Sequence, residues 1–335
     1  MHRCLQIARN GFPTAMPNPS VGAVIVHDHR IIGEGYTAAY GGAHAEVNAI
    51  NAVKDKTLLK HATLYVSLEP CSHHGKTPPC SDLIIQTGIP TIVIGCTDPN
   101  PLVSGKGIMR LKSAGRTVIS GILEKDCLAS NRRFFTFHTK KRPYIILKWA
   151  QSKDGFLAPN KSIRAEMQHN ENKPYWISNT YSRQLTHRWR SEEMSILIGT
   201  QTAIDDNPKL DVRDWYGQNP TKIVLDQHNR IPKENYIFDK RANILLLSGA
   251  DLDFESNIGN QIVRILYEKN ISSVMIEGGY RTLKTFIDED LWDEARIFVG
   301  RNLMGDGLPA PNFKGNLVSS NAIGTDELLI FTNHD

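Results

Sequence analysis

The chain has 335 residues, 40% hydrophobic and 22% charged, which is typical of a soluble protein of about two domains. It has no apolar run near the roughly 20 residues of a membrane span, no signal peptide and no disulfide framework among its five cysteines, which predicts a cytoplasmic protein without membrane contact. Residues 1–142 carry 17 Lys and Arg against 9 Asp and Glu, whereas residues 143–335 carry 22 against 26, so the basic first part suits a phosphorylated substrate or a nucleic acid.

The first part alternates between helical and strand patterns. It predicts helices over residues 2–10, from His44 onward, over 81–87 and over 107–114, and strands over 23–26, 31–35, 63–68 and 91–95. The alternation indicates a three-layer α/β/α domain in which helices cover both faces of a sheet.

Four residues around the helix that begins at His44 form the pattern of a catalytic zinc site. His44 and Glu46 open that helix, and Cys71 and Cys80 follow the third strand. One imidazole and two thiolates leave a fourth tetrahedral position for water, as catalytic zinc requires. Zinc lowers the pKa of such a water to about 7, and a carboxylate beside it can move protons. His-x-Glu with Pro-Cys is the general signature of zinc deaminases, although eight residues rather than two separate the cysteines here.

Two loops of the first part are candidates for substrate contact. Asn18 stands between two prolines, and its amide offers both a donor and an acceptor to a pyrimidine edge. Between the cysteines, Lys76 suits a phosphate, and His73 and His74 suit a phosphate or a ribose. Simpler explanations stay open: a turn asparagine, a solvated basic loop, and cysteines that are only small buried apolar residues.

The second part repeats the alternation of strands and helices. We predict a basic, solvated linker over residues 136–142 and a loop from Thr200. The other predicted elements are strands over 144–149, 195–199, 222–226 and 243–248, a helix over 180–190, and a strand from Val274 that passes through Gly278 and Gly279 into a helix. Such glycines let backbone N–H groups approach a pyrophosphate. No Gly-x-Gly-x-x-Gly follows a first strand, which disfavours a Rossmann domain.

Several motifs taken together support a family resemblance. The motifs are Pro17-Asn18-Pro19, His44-Ala45-Glu46-Val47, LEPCSHHGKTPPC over 68–80, Asp98-Pro99-Asn100-Pro101 and Gly105-x-Gly107. Over nearly its whole length the chain resembles the bifunctional deaminase/reductase family of riboflavin biosynthesis, whose mark is this long cysteine spacing. The resemblance implies a cytidine-deaminase-like domain over 1–142 and a dihydrofolate-reductase-like α/β domain over 143–335. It further implies Zn²⁺ on His44, Cys71 and Cys80, Glu46 as the catalytic residue, and NADPH as the second cofactor.

The resemblance also implies contacts for individual residues. It places Asn18, His73 and Lys76 against the deaminase substrate. For NADPH it indicates Ala150, Trp176, Thr202, Asp206, Gly279, Tyr280, Arg281 and Thr282. For the reductase substrate it indicates Lys148, Arg190, Leu210, Arg213 and Glu277, with the two arginines against its phosphate. Lys148 has the simpler explanation of an edge-strand lysine. The chain departs from the family between Gly155 and Trp176, where Pro174 replaces an expected serine, so we expect a remodelled substrate contact there.

Two other functions compete with this interpretation. A nucleic-acid deaminase of the tRNA type, with an appended binding domain, would fit the basic first part, but it would usually have a short Cys-x-x-Cys. A structural zinc module joined to a dinucleotide sensor would need no Glu46. We therefore expect an enzyme that takes a small phosphorylated pyrimidine rather than a nucleic acid, and that forms a homo-oligomer, either a dimer or a tetramer.

Overall fold

Strands rich in β-branched residues organise each half of the chain. The computed structural model describes residues 1–73, 78–100, 104–160, 175–239 and 243–333. The chain divides into two compact units, Met1–Arg142 and Pro143–Asp335. Lys76, His74 and Pro174 lie outside the described residues, as does most of the segment in which a remodelled contact is predicted.

The first unit is built on a five-stranded sheet. Its strands are β1 (Gly22–His27), β2 (Arg30–Tyr36), β3 (Thr63–Leu68), β4 (Thr91–Cys96) and β5 (Thr117–Ser120). Its helices are α1 (His2–Ala8), α2 (Ala45–Ala52), α3 (Cys80–Thr87), α4 (Lys106–Ser113), α5 (Glu124–Ser130) and α6 (Arg132–Lys140), with 3₁₀ segments at Arg9–Gly11 and Lys56–His61. The strand order is β2-β1-β3-β4-β5, in which β1 runs antiparallel to its neighbours and β3, β4 and β5 are parallel.

Alternating side chains of β1 explain why helices cover both faces of this sheet. Ala23 and Ile25 point into the larger core with α2 and α3, and Val24 points into a second cluster with Cys4 and Ile7 of α1. Burying each large aliphatic side chain contributes roughly 1.5–3 kcal/mol. The mixed α/β, cytidine-deaminase-like fold expected for this unit is confirmed.

The prediction of a solvated linker over residues 136–142 is wrong. Most of that stretch belongs to α6, and Phe134 and Phe137, three residues apart, bury one face of the helix. The helix ends where Lys141 adopts a left-handed backbone (φ 55°), and the next residue, Arg142, is also buried. The prediction relied on the basic residues 140–142. The apolar face of the amphipathic helix begins earlier, at Phe134, outside the predicted segment.

The second unit is built on an eight-stranded sheet. Its strands are β6 (Tyr144–Gln151), β8 (Ser195–Gly199), β9 (Thr221–Leu225), β10 (Ile244–Leu247), β11 (Ser273–Gly278), β12 (Glu294–Val299), β14 (Asn316–Ile323) and β15 (Asp326–Thr332), with β7 (Phe156–Pro159) and β13 (Gly307–Pro309) forming a separate pair. Its helices are α7 (Thr180–Glu192), α8 (Thr200–Asp206), α9 (Ile258–Glu268) and α10 (Tyr280–Asp288), with a 3₁₀ turn at Tyr236–Phe238. Within the described part of the chain, no helix is long and apolar enough to cross a membrane.

Strand order sets which residues meet in this unit. The order is β10-β9-β8-β11-β6-β12-β15-β14, and all strands from β10 to β12 are parallel. Strand β15 runs antiparallel to β12, and β14 runs antiparallel to β15. Helices α7 and α8 cover one face, and α9 and α10 cover the other. The carboxyl ends of the six parallel strands therefore lie along one edge, where ligands of open α/β sheets bind.

Two local features of the second unit differ from expectation. Thr200 begins helix α8 directly after β8 rather than a loop. Strand β6, which carries Lys148, has β11 on one side and β12 on the other. Lys148 is therefore an inner-strand residue, and the explanation of an edge-strand lysine is wrong.

Candidate active sites

Three elements bring His44, Cys71 and Cys80 together. His44 is the N-cap of α2, Cys71 follows β3, and Cys80 opens α3. The Nδ1 atom of His44 lies 3.5 Å from the Cys71 Sγ and 3.3 Å from the Cys80 Sγ. Tetrahedral zinc with bonds of about 2.3 Å to sulfur and about 2.0–2.1 Å to nitrogen would separate such ligand atoms by roughly 3.6 Å. The two nitrogen-to-sulfur distances therefore fit zinc, and all three ligand atoms lie within 4.8 Å of one another.

The protonation of the two thiols is consistent with a cation site. Contact with Cys80, and then with His44, lowers the pKa of Cys71 to about 4. The contact with Cys71 and burial raise the pKa of Cys80. Contact with Cys71 also raises the pKa of His44 to about 9. A divalent cation at this position would favour the thiolate form of both cysteines, which is the form that binds zinc.

Glu46 lies in the first turn of α2, beside the three ligand residues. Only 4% of its surface is exposed. Burial, and then the nearby Cys71 charge, raises the pKa of Glu46 to about 7, while His44 opposes the increase. A carboxyl group with a pKa near neutrality can both accept and donate a proton at working pH. Its position and pKa suit a general acid/base.

The topology of the sheet places Asn18 at the same edge as the ligands. Asn18 lies in the turn before β1, whose first residue, Gly22, pairs with Tyr36 and donates its N–H to Ser67 Oγ at 3.1 Å. The loop that precedes β1 therefore lies beside the end of β3 that leads to Cys71. His73 is exposed two residues after Cys71. Contact of either side chain with a substrate stays a prediction.

A buried carboxylate that the sequence did not suggest supports the Cys71 loop. Glu69 is 3% exposed. Its Oε2 accepts the N–H groups of Asp98 (3.2 Å) and Gly105 (2.9 Å), and its Oε1 accepts that of Ile108 (3.1 Å). These donors lie 29 to 39 residues away from Glu69 along the chain. In the sequence, only the motifs that contain or adjoin the donors, at 98–101 and 105–107, could have indicated these hydrogen bonds. Glu69 therefore joins the start of α4 to the residues just before Cys71. Its carboxylate accepts hydrogen bonds from N–H groups at the N-terminus of α4 that have no partner within the helix.

In the second unit, small residues and threonines converge at the carboxyl edge of β8 and β11. A Cβ on Gly279, whose φ is 74°, would lie 3.0 Å from Thr202 Oγ1 and 3.8 Å from Thr282 Oγ1. A Cβ on Gly199 would lie 2.6 Å from Thr282 Oγ1. These glycines therefore have no room for a side chain beside the two threonines. Three of the residues expected to contact NADPH, Thr202, Gly279 and Thr282, meet here, and their contact with its pyrophosphate stays a prediction.

The other residues expected to contact NADPH flank this edge. Ala150 is near the end of β6 and pairs in register with Phe298 of β12. Tyr280 and Arg281 open α10, and Asp206 ends α8. Trp176 is 51% exposed, with the Arg183 guanidinium 4.7 Å from its ring centroid, so it is not a core residue.

A buried ion pair joins two residues expected to contact the reductase substrate. Arg190 Nε and Nη2 donate to the two carboxylate oxygens of Glu277 at 2.8 and 2.7 Å. The side chains are only 11% and 8% exposed. Burial alone would raise the pKa of Glu277, but Arg190 and Lys148 lower it to about 2. Burial lowers the pKa of Lys148, and Glu277 opposes that change. Lys148, Arg190 and Glu277 therefore form one charged cluster.

Leu210 and Arg213 lie on the segment after α8. Leu210 is 2% exposed and has a left-handed backbone with φ 52°, which costs a leucine roughly 1–2 kcal/mol. Arg213 is 43% exposed, and its Nη1 donates to Asp211 Oδ1 at 2.7 Å. A strained backbone beside an exposed guanidinium is typical of a ligand-binding segment.

Comparisons with known proteins extend over both units. A family model of the RibD C-terminal domain matches residues 143–328, and a model of the cytidine and deoxycytidylate deaminase zinc-binding region matches residues 1–96. The riboflavin biosynthesis protein RibD of Aquifex aeolicus is 38% identical over 331 residues, covering 92% of this chain and 88% of the relative. That of Bacillus amyloliquefaciens is 35% identical, covering 93% and 86%.

A solved structure is similar over the full length. It is a diaminohydroxyphosphoribosylaminopyrimidine deaminase/5-amino-6-(5-phosphoribosylamino)uracil reductase from Thermotoga maritima. That protein is 34% identical to this chain, with a TM-score of 0.87, covering 100% of this chain and 97% of the solved one.

Proposed function

The chain belongs to the RibD family of bifunctional deaminase/reductases of riboflavin biosynthesis, and we propose that its first unit carries out the deamination and its second unit the reduction. The nucleic-acid deaminase alternative is not favoured, because relatives that match over nearly the whole chain are riboflavin biosynthesis proteins. The observation that carries the proposal is the grouping of the His44, Cys71 and Cys80 ligand atoms at distances that fit zinc, beside a buried Glu46.

The proposed first reaction is hydrolytic deamination of 2,5-diamino-6-ribosylamino-4(3H)-pyrimidinone 5′-phosphate. His44, Cys71 and Cys80 would hold zinc, which supplies a Lewis acid that activates water near neutral pH. Glu46 would take the proton of the attacking water as the C–O bond forms and pass it to the amino group, which leaves as ammonia when the C–N bond breaks. Asn18, His73 and Lys76 would bind the pyrimidine and its phosphate.

The proposed second reaction reduces the ribosyl group of 5-amino-6-(5-phosphoribosylamino)uracil to ribityl. NADPH supplies the hydride, so the chain must mainly bind and align the two reactants. Thr202, Gly279 and Thr282 would hold the dinucleotide phosphates at the carboxyl edge of the sheet. Lys148 and Glu277 would orient the substrate beside them, because both are charged side chains buried beside that edge.

The two arginines expected at the substrate phosphate are not equally available. The guanidinium of Arg190 is committed to Glu277 by two short hydrogen bonds and is nearly buried. Arg213 is far more exposed, with one hydrogen bond to Asp211 and a longer ion pair of 4.0 Å to Asp214, which a phosphate could replace. We therefore propose that Arg213 binds the phosphate and that Arg190 holds Glu277 in position.

Removing the metal tests the zinc assignment and the two-site division together. Chelation is expected to stop ammonia release from the diaminopyrimidine ribotide and to leave NADPH oxidation with supplied uracil ribotide unchanged, because the described residues of the second unit contain no comparable group of metal ligands. Adding Zn²⁺ should restore ammonia release. Ammonia is measured chemically and NADPH by its near-ultraviolet absorbance. Ammonia release from metal-free protein, or loss of both activities on chelation, would contradict the proposal.

We also propose a cytoplasmic homo-oligomer, either a dimer or a tetramer. Strand β14 is an outer strand of its sheet, and its Leu317 and Val318 are 56% and 61% exposed. An open edge strand with apolar side chains favours pairing with another chain. Light scattering on the purified protein should give a mass at least twice that of one chain, and a monomer at working concentration would contradict this proposal.

A further inference from the structure

The segment after α8 needs an external anchor. Asn207 and Leu210 both have left-handed backbones, with φ of 40° and 52°, and neither is glycine. The Leu210 side chain holds one end of the segment in a buried cluster with Ile198 and Val224. Arg213, three residues later, is exposed. Conformations of this kind persist only where surrounding contacts fix them.

His187 of α7 supplies such an anchor. Only 3% of this residue is exposed. Its Nδ1 lies 2.8 Å from the carbonyl oxygen of Asp211, and its Nε2 lies 3.3 Å from the Asp214 carboxylate. Arg190, three residues further along the same helix face, donates its Nη1 to the same Asp211 carbonyl at 3.1 Å. Two donors from α7 therefore meet on the peptide between Leu210 and Arg213.

The partners of His187 identify its protonation. A carbonyl oxygen only accepts, so Nδ1 must carry the proton. Burial, followed by the charges of Arg190 and Arg213, lowers the pKa of His187, while Asp211 and Asp214 oppose this. The Asp214 carboxylate opposite Nε2 also only accepts, so in either charge state of the ring the Nδ1–H bond to Asp211 is the contact that holds the segment.

We infer that His187 is a positioning residue of the reductase, which fixes the backbone of residues 210–213 so that Arg213 meets the substrate phosphate. The inference rests on the proposed function, in which Arg213 binds that phosphate. His187 acts through the segment and does not itself touch either reactant. Its loss should therefore weaken substrate binding without affecting the site at Thr202 and Gly279.

Two substitutions of His187 test the roles of the two ring nitrogens separately. The amide nitrogen of asparagine can take the place of Nδ1, whereas that of glutamine can take the place of Nε2. His187→Gln is expected to raise KM for the uracil ribotide about tenfold, as loss of one buried hydrogen bond would. His187→Asn should stay within about threefold of the unmodified protein. KM for NADPH should change less than about twofold in both variants.

Steady-state kinetics on the full-length, zinc-loaded protein measure these constants, and the tryptophan fluorescence of the same samples, which comes only from residues 143–335, shows that the second unit of each variant is folded. Equal KM increases in the two variants, an equal increase for NADPH, or a fall in kcat without a change in KM would overturn the inference. Arg213→Gln is the reference variant. If it leaves KM for the uracil ribotide unchanged, the proposed phosphate site fails and this inference with it. If it raises KM while His187→Gln does not, only the role of His187 fails.

Discussion

Replacing Glu46 with glutamine is expected to slow ammonia release by about 100- to 10,000-fold, the range that a positioned general acid/base contributes. Glutamine has nearly the same shape as glutamate, but its amide can neither accept nor deliver the transferred proton. Because Glu46 is almost fully buried, bulk solvent is poorly placed to take over this proton transfer. NADPH oxidation with supplied uracil ribotide should continue, because it depends on residues of the second unit.

The controls for this prediction are the zinc content and a matched surface acid. Glu46 is not one of the three residues with ligand spacing, so Glu46→Gln should retain its full zinc complement. Glu124, an exposed acid at the start of α5, offers the same chemical change without the buried setting, and Glu124→Gln should keep normal deamination. Normal ammonia release by Glu46→Gln would show that another group moves the proton. Loss of zinc would instead make Glu46 a structural support of the metal site.

Local pattern was sufficient to predict much of each unit. Residues 63–68 and 195–199 form strands as predicted, since each is a short apolar run between polar turns. The three ligand residues could also be predicted, because metal ligands must be of particular types and cluster near the ends of elements. What local pattern does not contain is which distant strands are neighbours. The insertion of β11 between β8 and β6, which buries Lys148 beside Glu277, depends on packing of the whole sheet.

Long-range polar contacts were hidden for the same reason. Glu277 and Arg190 are 87 residues apart, and His187 meets a peptide carbonyl 24 residues later. A backbone carbonyl has no signature in the sequence, so no motif search could have indicated His187. Helix α6 was missed for a different reason, since its charged end outweighed Phe134 and Phe137 in composition. Sequence therefore predicted the chemical groups of the sites better than the residues that hold them.

Replacing Glu277 with glutamine is expected to destabilise the second unit by about 3–5 kcal/mol and to abolish NADPH oxidation, because Arg190 is left as an uncompensated buried charge. All five tryptophans lie in residues 143–335, so tryptophan fluorescence during urea unfolding of the full chain reports this unit alone. As a matched control, Glu268→Gln breaks the exposed Arg264–Glu268 pair and should cost less than about 0.5 kcal/mol. Equal costs for the two variants would contradict a special role of the buried pair.

The same pair predicts how acid acts on this unit. The pKa of Glu277 is about 2 in the folded protein, below its ordinary value of 4.5, so the unfolded chain takes up the proton first as the pH falls. The stabilisation from the ionised Glu277 is complete above about pH 4.5 and is lost as the pH falls from there to about 2. Over that range the unmodified protein should therefore lose stability more steeply than Glu277→Gln, which has no proton to bind.

The double variant Glu277→Leu/Arg190→Met removes both charges of the pair and should recover much of the stability. The nearby Lys148 does not prevent this recovery, because it can lose its proton when buried. Activity should not recover. If the double variant is as unstable as Glu277→Gln, the cost does not come from the unpaired Arg190.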